Sequence, residues 1–221
     1  MSTRSELMTI YGKLFDAYGP QHWWPAETPF EVMVGAVLTQ NTNWTNVAKA
    51  IGNLKARGLL TPEGIHDLDP ETLAGIIRPA GYFRVKAGRL KNLLDWLFER
   101  FDGDVDRMAA TDLGALRPML LEVRGIGRET ADSILLYACE KLSFVVDAYT
   151  YRVLVRHRLL EPEADYDRVK ELFQESLDAD IQLYKEYHAL LVRVGKLHCK
   201  PTARCAGCPL ELHPHVLENP W

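Results

Sequence analysis

Cysteine is scarce in this sequence: there are four in 221 residues, three of them crowded between positions 199 and 208, with Cys139 alone in an apolar helical pattern. That usage argues against a secreted disulfide framework and for a reducing compartment. Also missing is any uninterrupted apolar stretch near the ~20 residues that span a bilayer. The opening segment MSTRSELMTIYGKLF has neither a signal-peptide apolar block nor a cleavage signature, so a soluble, intracellular chain with no membrane partner is expected. Strand-like runs are nearly missing, since FVV at 144–146 is too short to build a sheet. There is no repeat of 20–50 residues and no low-complexity linker. With 47% hydrophobic residues the chain has enough apolar material for a sizeable core, which excludes disorder as its main state.

An overall positive charge is absent too. The net charge is −4, which taken alone argues mildly against a nucleic-acid partner. Residues 161–180, however, hold eight acids against two bases, a local −6 that leaves the remainder at +2. Two stretches are basic without any acid: 78–91, with Arg78, Arg84, Lys86, Arg89 and Lys91, and 193–208, with Arg193, Lys196, Lys200 and Arg204. Either could hold a polyanion.

What the sequence does contain is helical periodicity. Leu7, Ile10, Tyr11, Leu14, Phe15 and Tyr18 are spaced by threes and fours. Thr28, Pro29 and Glu31 form a capping-box start to a helix that is apolar all round through VMVGAVL, and therefore buried. Similar patterns recur to position 194, about ten helices in all, and predict an all-α fold.

Residues 120–138 read LLEVRGIGRETADSILLYA, an apolar helix end, a tight Gly125-Ile126-Gly127 turn and a second helix from Arg128. Two glycines spaced by two permit positive φ and let backbone N–H groups face outward at a helix N-terminus, which suits an anion. A plain helix connection reads the same way. Further on, FVVDAYTYRVLVR sets Asp147 after a short apolar run and before an aromatic, Arg-rich helix. Asp147 suits a helix N-cap. It equally suits a carboxylate that stabilises an oxocarbenium-like sugar and activates water.

Four segments in this order, GAVLTQNTNW at 35–44, GYFRVKAGRL at 81–90, LLEVRGIGRETAD at 120–132 and VVDAYTYR at 145–152, resemble the helix-hairpin-helix DNA glycosylases of the endonuclease III superfamily, from about residue 23 to residue 208. The resemblance implies double-stranded DNA containing damaged bases as partner and a monomer associated with the nucleoid in the cytoplasm. It implies a catalytic role for Asp147 and entry of Gln40 into the duplex to fill the gap left by a flipped base. The hairpin residues Gly125, Gly127, Arg128 and Thr130 join Gln40 as expected DNA contacts. Lys86, Arg89, Arg124, Arg128, Arg152 and Lys196 are candidates for phosphate contacts, and each also suits a solvated surface charge. Two lobes are expected: a helical barrel lobe at 23–141 carrying the hairpin at about 113–138, and a lobe of 1–22 plus 142–221 carrying Asp147 and the cysteine-rich tail. The active cleft is expected between them.

In the bifunctional members the turn reads GxGRKTA, and its lysine forms a Schiff base with the sugar; here the segment is GIGRETA, with Glu129 in that position. A carboxylate cannot form an imine, so the resemblance implies a monofunctional enzyme. Trp23, Trp24 and Pro25 precede the buried helix and Trp44 follows it. Core packing explains any of these tryptophans, but a pair of them flanking a flipped base, with Glu129 nearby, would favour a cationic base such as 3-methyladenine. The WWP and QNT segments and the glutamate resemble the bacterial 3-methyladenine branch. The alternatives are a bifunctional glycosylase and lyase for oxidised pyrimidines, and a DNA-binding protein without chemistry. No cofactor is needed for the hydrolysis. Family members often end with C-x6-C-x2-C-x5-C around a [4Fe-4S] cluster, whereas Cys199, Cys205 and Cys208 form a shortened set without a fourth cysteine. A cluster, a zinc ion completed by His213 or His215, or three free thiols are the readings left open.

Overall fold

A computed structural model of the chain describes residues 2–216, and residues 217–221, assigned above to the second lobe, lie outside the described part. Among the described residues there is no strand, and the helices run α1 Thr3–Tyr18, α2 Pro29–Leu38, α3 Trp44–Lys55, α4 Pro62–His66, α5 Pro70–Ile76, α6 Phe83–Phe101, α7 Val105–Ala110, α8 Leu113–Glu122, α9 Arg128–Ser133, α10 Ala148–Arg156, α11 Tyr166–Ser176 and α12 Ile181–Leu197. A 3-10 turn at Arg78–Ala80 precedes α6, and a π-helical segment at Ile134–Ala138 continues α9. No helix among the described residues is long and apolar enough to cross a membrane. Contacts divide the chain into two units, Trp24–Lys141 and Met1–Trp23 with Leu142–Trp221.

The unit Trp24–Lys141 is built around α2. Thr28 caps its start by accepting from the Glu31 N–H at 3.1 Å, and Phe30–Leu38 are all buried. Glu31 does not close the expected box by reaching back to the Thr28 amide. Its Oε2 accepts from the Glu27 N–H at 2.9 Å and lies 2.9 Å from Lys55 Nζ, so the one charged side chain on this buried helix is paired. The π-helical segment, α3, α6 and α9 pack against α2. Helices α8 and α9 form the hairpin, clamped by Arg117, whose Nε and Nη2 donate to the two carboxylate oxygens of the fully buried Asp132 at 2.9 and 3.1 Å. A bidentate pair of this kind fixes angle as well as distance.

In the other unit, α12 packs against α1 and α10, and α1 also touches α11. Leu7, Ile10 and Leu14 are fully buried on α1, and Tyr187 of α12 donates its hydroxyl to the Leu7 carbonyl at 2.7 Å. The FVV run is extended but has no strand partner, so its backbone must be satisfied otherwise. The Phe144 N–H donates to Gln174 Oε1 at 3.0 Å and the Val146 N–H to the Tyr166 hydroxyl at 3.4 Å, both from α11. Phe144 stacks on Phe173 with ring centroids 3.9 Å apart. This anchored segment delivers Asp147 to the start of α10.

Helices α10 and α12 meet where Gly195 lies under Tyr149: a Cβ at 195 would stand 2.5 Å from Tyr149 Cδ1. Gly195→Ala must therefore displace the ring or separate the helices. The expected cost is about 1–3 kcal/mol, the usual penalty of overpacking a core, read as a lowered thermal midpoint. An unchanged midpoint would show that Tyr149 moves freely aside.

Candidate active site and nucleic-acid interface

Asp147 is the N-cap of α10. Its Oδ1 accepts from the Thr150 N–H at 2.7 Å, and its Oδ2 lies 3.7 Å from His188 Nε2 on α12. Burial pushes this carboxyl up, but the contact and charge of His188 and the donors of Thr150 outweigh it, and the pKa is lowered from the ordinary value. Asp147 is thus ionised at neutral pH although nearly enclosed. In the sequence His188 is followed by the apolar run ALLV on a helix face, where a histidine reads as core, so local pattern does not reveal this contact.

The hairpin turn is asymmetric. Gly125 has φ +99°, and a Cβ there would stand 2.4 Å from Arg89 Cγ, so both backbone and packing require glycine. Gly127, expected to use the same freedom, instead has φ −90° and ψ 179° as the N-cap of α9. It has nothing within 4 Å of a built Cβ. No internal contact calls for glycine at 127, so its bare backbone leaves room for something outside the chain. Arg124, Gly125, Gly127, Arg128 and Glu129 are all exposed around this turn. Asn92 of α6 donates to the Arg124 carbonyl at 2.9 Å and fixes the approach to it.

Gln40 lies beside the turn. Its Nε2 donates to the Gly125 carbonyl at 3.1 Å and to Thr130 Oγ1 at 2.9 Å, and Arg89 Nη1 donates to its Oε1. Thr130 is buried at 6% exposure, and its hydroxyl binds Gln40. Some of the expected phosphate contacts face inward. Lys86 is 1% exposed and donates from Nζ to the carbonyls of Leu38 and Ala80 at 2.8 and 2.7 Å and to Thr42 Oγ1 at 2.7 Å. Burial and the neighbouring Arg89 bring its pKa down to about 8. Arg152 is buried too, with Nε donating to the Cys199 carbonyl at 2.6 Å. Periodicity alone could not separate these from the exposed Arg78 and Arg84, because a long cationic side chain can fold back onto its own domain. Tyr82, the residue that precedes α6, has φ +45° and is 71% exposed.

The aromatic cluster differs from the arrangement expected. Trp24 meets Trp44 edge to face, with centroids 5.6 Å apart at 89°, and also contacts Tyr137 at 5.5 Å and 58°. Two perpendicular rings in contact leave no slot between Trp24 and Trp44 for a third ring. Trp24 is seated on Gly35, where a Cβ would come within 3.0 Å of its Nε1. Trp23 is half-buried, Pro25 exposed, and Glu129 exposed in the first turn of α9.

Cys199, Cys205 and Cys208 line a small pocket together with Arg156, His198 and His215. Arg156 donates to Cys199 Sγ at 3.2 Å. His213, one of the two expected fourth ligands, is turned to Glu6 Oε1 at 3.0 Å. Among the described residues no three His, Cys, Asp or Glu side chains converge closely enough to hold an ion. Three thiols without a fourth thiolate do not match the donor set of a four-cysteine cluster. Cys139 is buried, and its desolvated thiol is pushed up to about 11.

A family profile for HhH-GPD superfamily base excision DNA repair proteins matches residues 34–179. The chain belongs to this family, within the endonuclease III superfamily. It is 50% identical over 204 residues to a provisionally named DNA repair glycosylase of Methanocaldococcus jannaschii, covering 91% of this chain and 92% of that one. The structure of an H. pylori 3-methyladenine DNA glycosylase bound to 1,N6-ethenoadenine superposes with a TM-score of 0.76 at 30% identity, over 89% of this chain and 98% of that one. A non-covalent endonuclease III–DNA complex shares the fold, with a TM-score of 0.81 at 23% identity, over 97% and 96% of the two chains.

The two glycines of the turn should separate in experiment. Gly125→Ala is expected to lower the thermal midpoint, because both φ and Arg89 oppose a side chain. Gly127→Ala should melt like the parent yet bind duplex DNA about tenfold more weakly, because the added methyl stands where a phosphate would approach the backbone donors, a loss on the scale of one hydrogen bond to a charged group. Filter binding or fluorescence anisotropy measures it. Undiminished affinity in Gly127→Ala would remove the turn from the DNA interface.

Proposed function

We propose that this DNA glycosylase is monofunctional and hydrolyses the N-glycosidic bond of cationic alkylated purines such as 3-methyladenine, leaving an intact abasic strand. The observation that carries the proposal is Glu129 in the position of the bifunctional enzymes' lysine. It has no amine with which to attack the sugar C1′, and an α-helical first turn accommodates its charge. The likeness to the H. pylori 3-methyladenine glycosylase supports the choice of substrate class.

Asp147 supplies the chemistry in this reading. A carboxylate held below the ordinary range is a weak base but a permanent anion, suited to stabilising positive charge at C1′ as the bond breaks and to orienting water. A cationic base leaves without being protonated, so no general acid is required. The exposed Glu129 and the electron-rich faces of the Trp24, Trp44 and Tyr137 cluster favour a positive base over a neutral one. Gln40 and the backbone of Gly125 and Gly127 hold the duplex. Arg128, at the start of α9, adds a cation for phosphate.

The decisive measurement is base release from a methylated duplex, followed by strand analysis with and without alkali. Base release should occur with strands intact until alkali is added, and borohydride should trap no covalent adduct. Strand breaks at the rate of base loss would overturn the assignment. Asp147→Asn should lower turnover by ~10² or more while DNA binding persists, as removal of one preorganised electrostatic contact does.

The pH dependence follows from the sign of the Asp147 shift. A carboxyl with a lowered pKa stays charged as pH falls, and activity declines only below the ordinary range near ~4. Ionisation of Asp147 itself should therefore leave turnover unchanged between pH 7 and 5. A rise toward pH 5 would mean that the leaving base needs protonation.

A further inference from the structure

Helix α6 presents Lys86 and Arg89 one turn apart, so both act on the same neighbourhood. Lys86 spends its three protons on Leu38, Thr42 and Ala80, which fixes both ends of the turn that carries Gln40. Within that turn the backbone is tied by the Thr39, Gln40 and Thr42 N–H groups, which reach the Gly35, Val37 and Thr39 carbonyls at 2.9, 3.4 and 3.0 Å, while Asn41 is left-handed at φ +52°; none of these bonds orients the Gln40 side chain. Arg89 does the rest. Its stem crosses Gly125 and its guanidinium donates to Gln40 Oε1, while Gln40 Nε2 faces the Gly125 carbonyl and Thr130 Oγ1. These contacts permit one amide orientation. A flipped amide would set its NH2 against the guanidinium and its oxygen against a carbonyl.

We propose that Arg89 is the positioning residue for Gln40, holding the glutamine amide in one orientation beside the hairpin turn so that it enters the gap left by a flipped base without a conformational search. The proposal rests on the reading of Gln40 as the gap-filling residue. A side chain already ordered in the free protein loses less freedom on binding, so the gain is specific to DNA that contains a gap.

Parent, Arg89→Met, Arg89→Lys, Gln40→Ala and the Arg89→Met/Gln40→Ala double variant are compared for affinity to a duplex carrying a stable abasic analogue and to the same duplex undamaged, with kcat and KM on a methylated duplex. Arg89→Met should weaken binding to the analogue about tenfold, the scale of one charge-assisted hydrogen bond. Its affinity for the undamaged duplex should stay within about twofold, and Arg89→Lys, which keeps a donor, should lose less. In the Gln40→Ala background the Arg89 effect should vanish, since the two act as one unit. Additive losses, or equal losses on both duplexes, would make Arg89 a direct phosphate contact and overturn the proposal. So would tighter analogue binding by Arg89→Met, which would mark the contact as inhibitory. If Gln40→Ala alone leaves analogue binding unchanged, the gap-filling reading itself fails. If Gln40→Ala binds weakly while Arg89→Met matches the parent, only the proposal for Arg89 fails.

Discussion

Helix α2 has no solvent-facing side. Nine consecutive buried residues, Phe30–Leu38, must find apolar neighbours in every direction, and those neighbours are α3, α6, α9 and the π-helical segment of the same unit. The helix seats Trp24 through Gly35, ends in the turn that carries Gln40, and packs against the helical run that follows the hairpin. Burial on this scale leaves no room for unsolved polar groups. Glu31 accordingly takes the Glu27 amide and the Lys55 ammonium, and the last carbonyl, Leu38, takes Lys86. The positions of Gln40 and Trp24 are in this sense by-products of packing one apolar helix.

Much of this organisation could be read from the residues. The helices announce themselves by period and by caps, as at Thr28 and Pro29, and the acidic run 161–180 is a mostly exposed stretch with Asp165 and Asp180 serving as N-caps. The GIG turn and Asp147 were visible because their residue types are restricted by local geometry. What could not be read depends on tertiary direction. Nothing local to Lys86 distinguishes a buried lysine facing three oxygens from a surface one, and nothing in QHWWP reveals that Trp24 will meet Trp44 at a right angle. The two glycines of the turn look equivalent in sequence yet serve unlike purposes, one conformational and the other spatial. His188 stands 41 positions from Asp147, and only the close approach of α10 and α12 over Gly195 brings them together.

The charges divide in a way that the net value of −4 conceals. Of the five bases in 78–91, Lys86 and Arg89 serve the protein's own turns, Lys91 donates to the His66 carbonyl, and Arg78 and Arg84 stay exposed around the Phe83 ring. A count of cations therefore overstates how many are available to a polyanion. Exposed bases lie outside this stretch as well, at Arg124, Arg128, Arg193, Lys196 and Arg204.

The π-helical stretch Ile134–Ala138 changes what the chain can tolerate. It is closed by the Cys139 N–H reaching back to the Ile134 carbonyl at 3.0 Å, five residues and not four, so this helical run carries one residue more than a regular helix of the same span. Tyr137 sits within the wide turn, facing Trp24. In terms of insertions and deletions, this is a site where a single-residue deletion would leave composition and hydrophobicity almost untouched and keep the run helical. It would nonetheless unscrew Tyr137 from the tryptophan it supports, so the length of this segment, more than the identity of any residue in it, is the quantity under constraint.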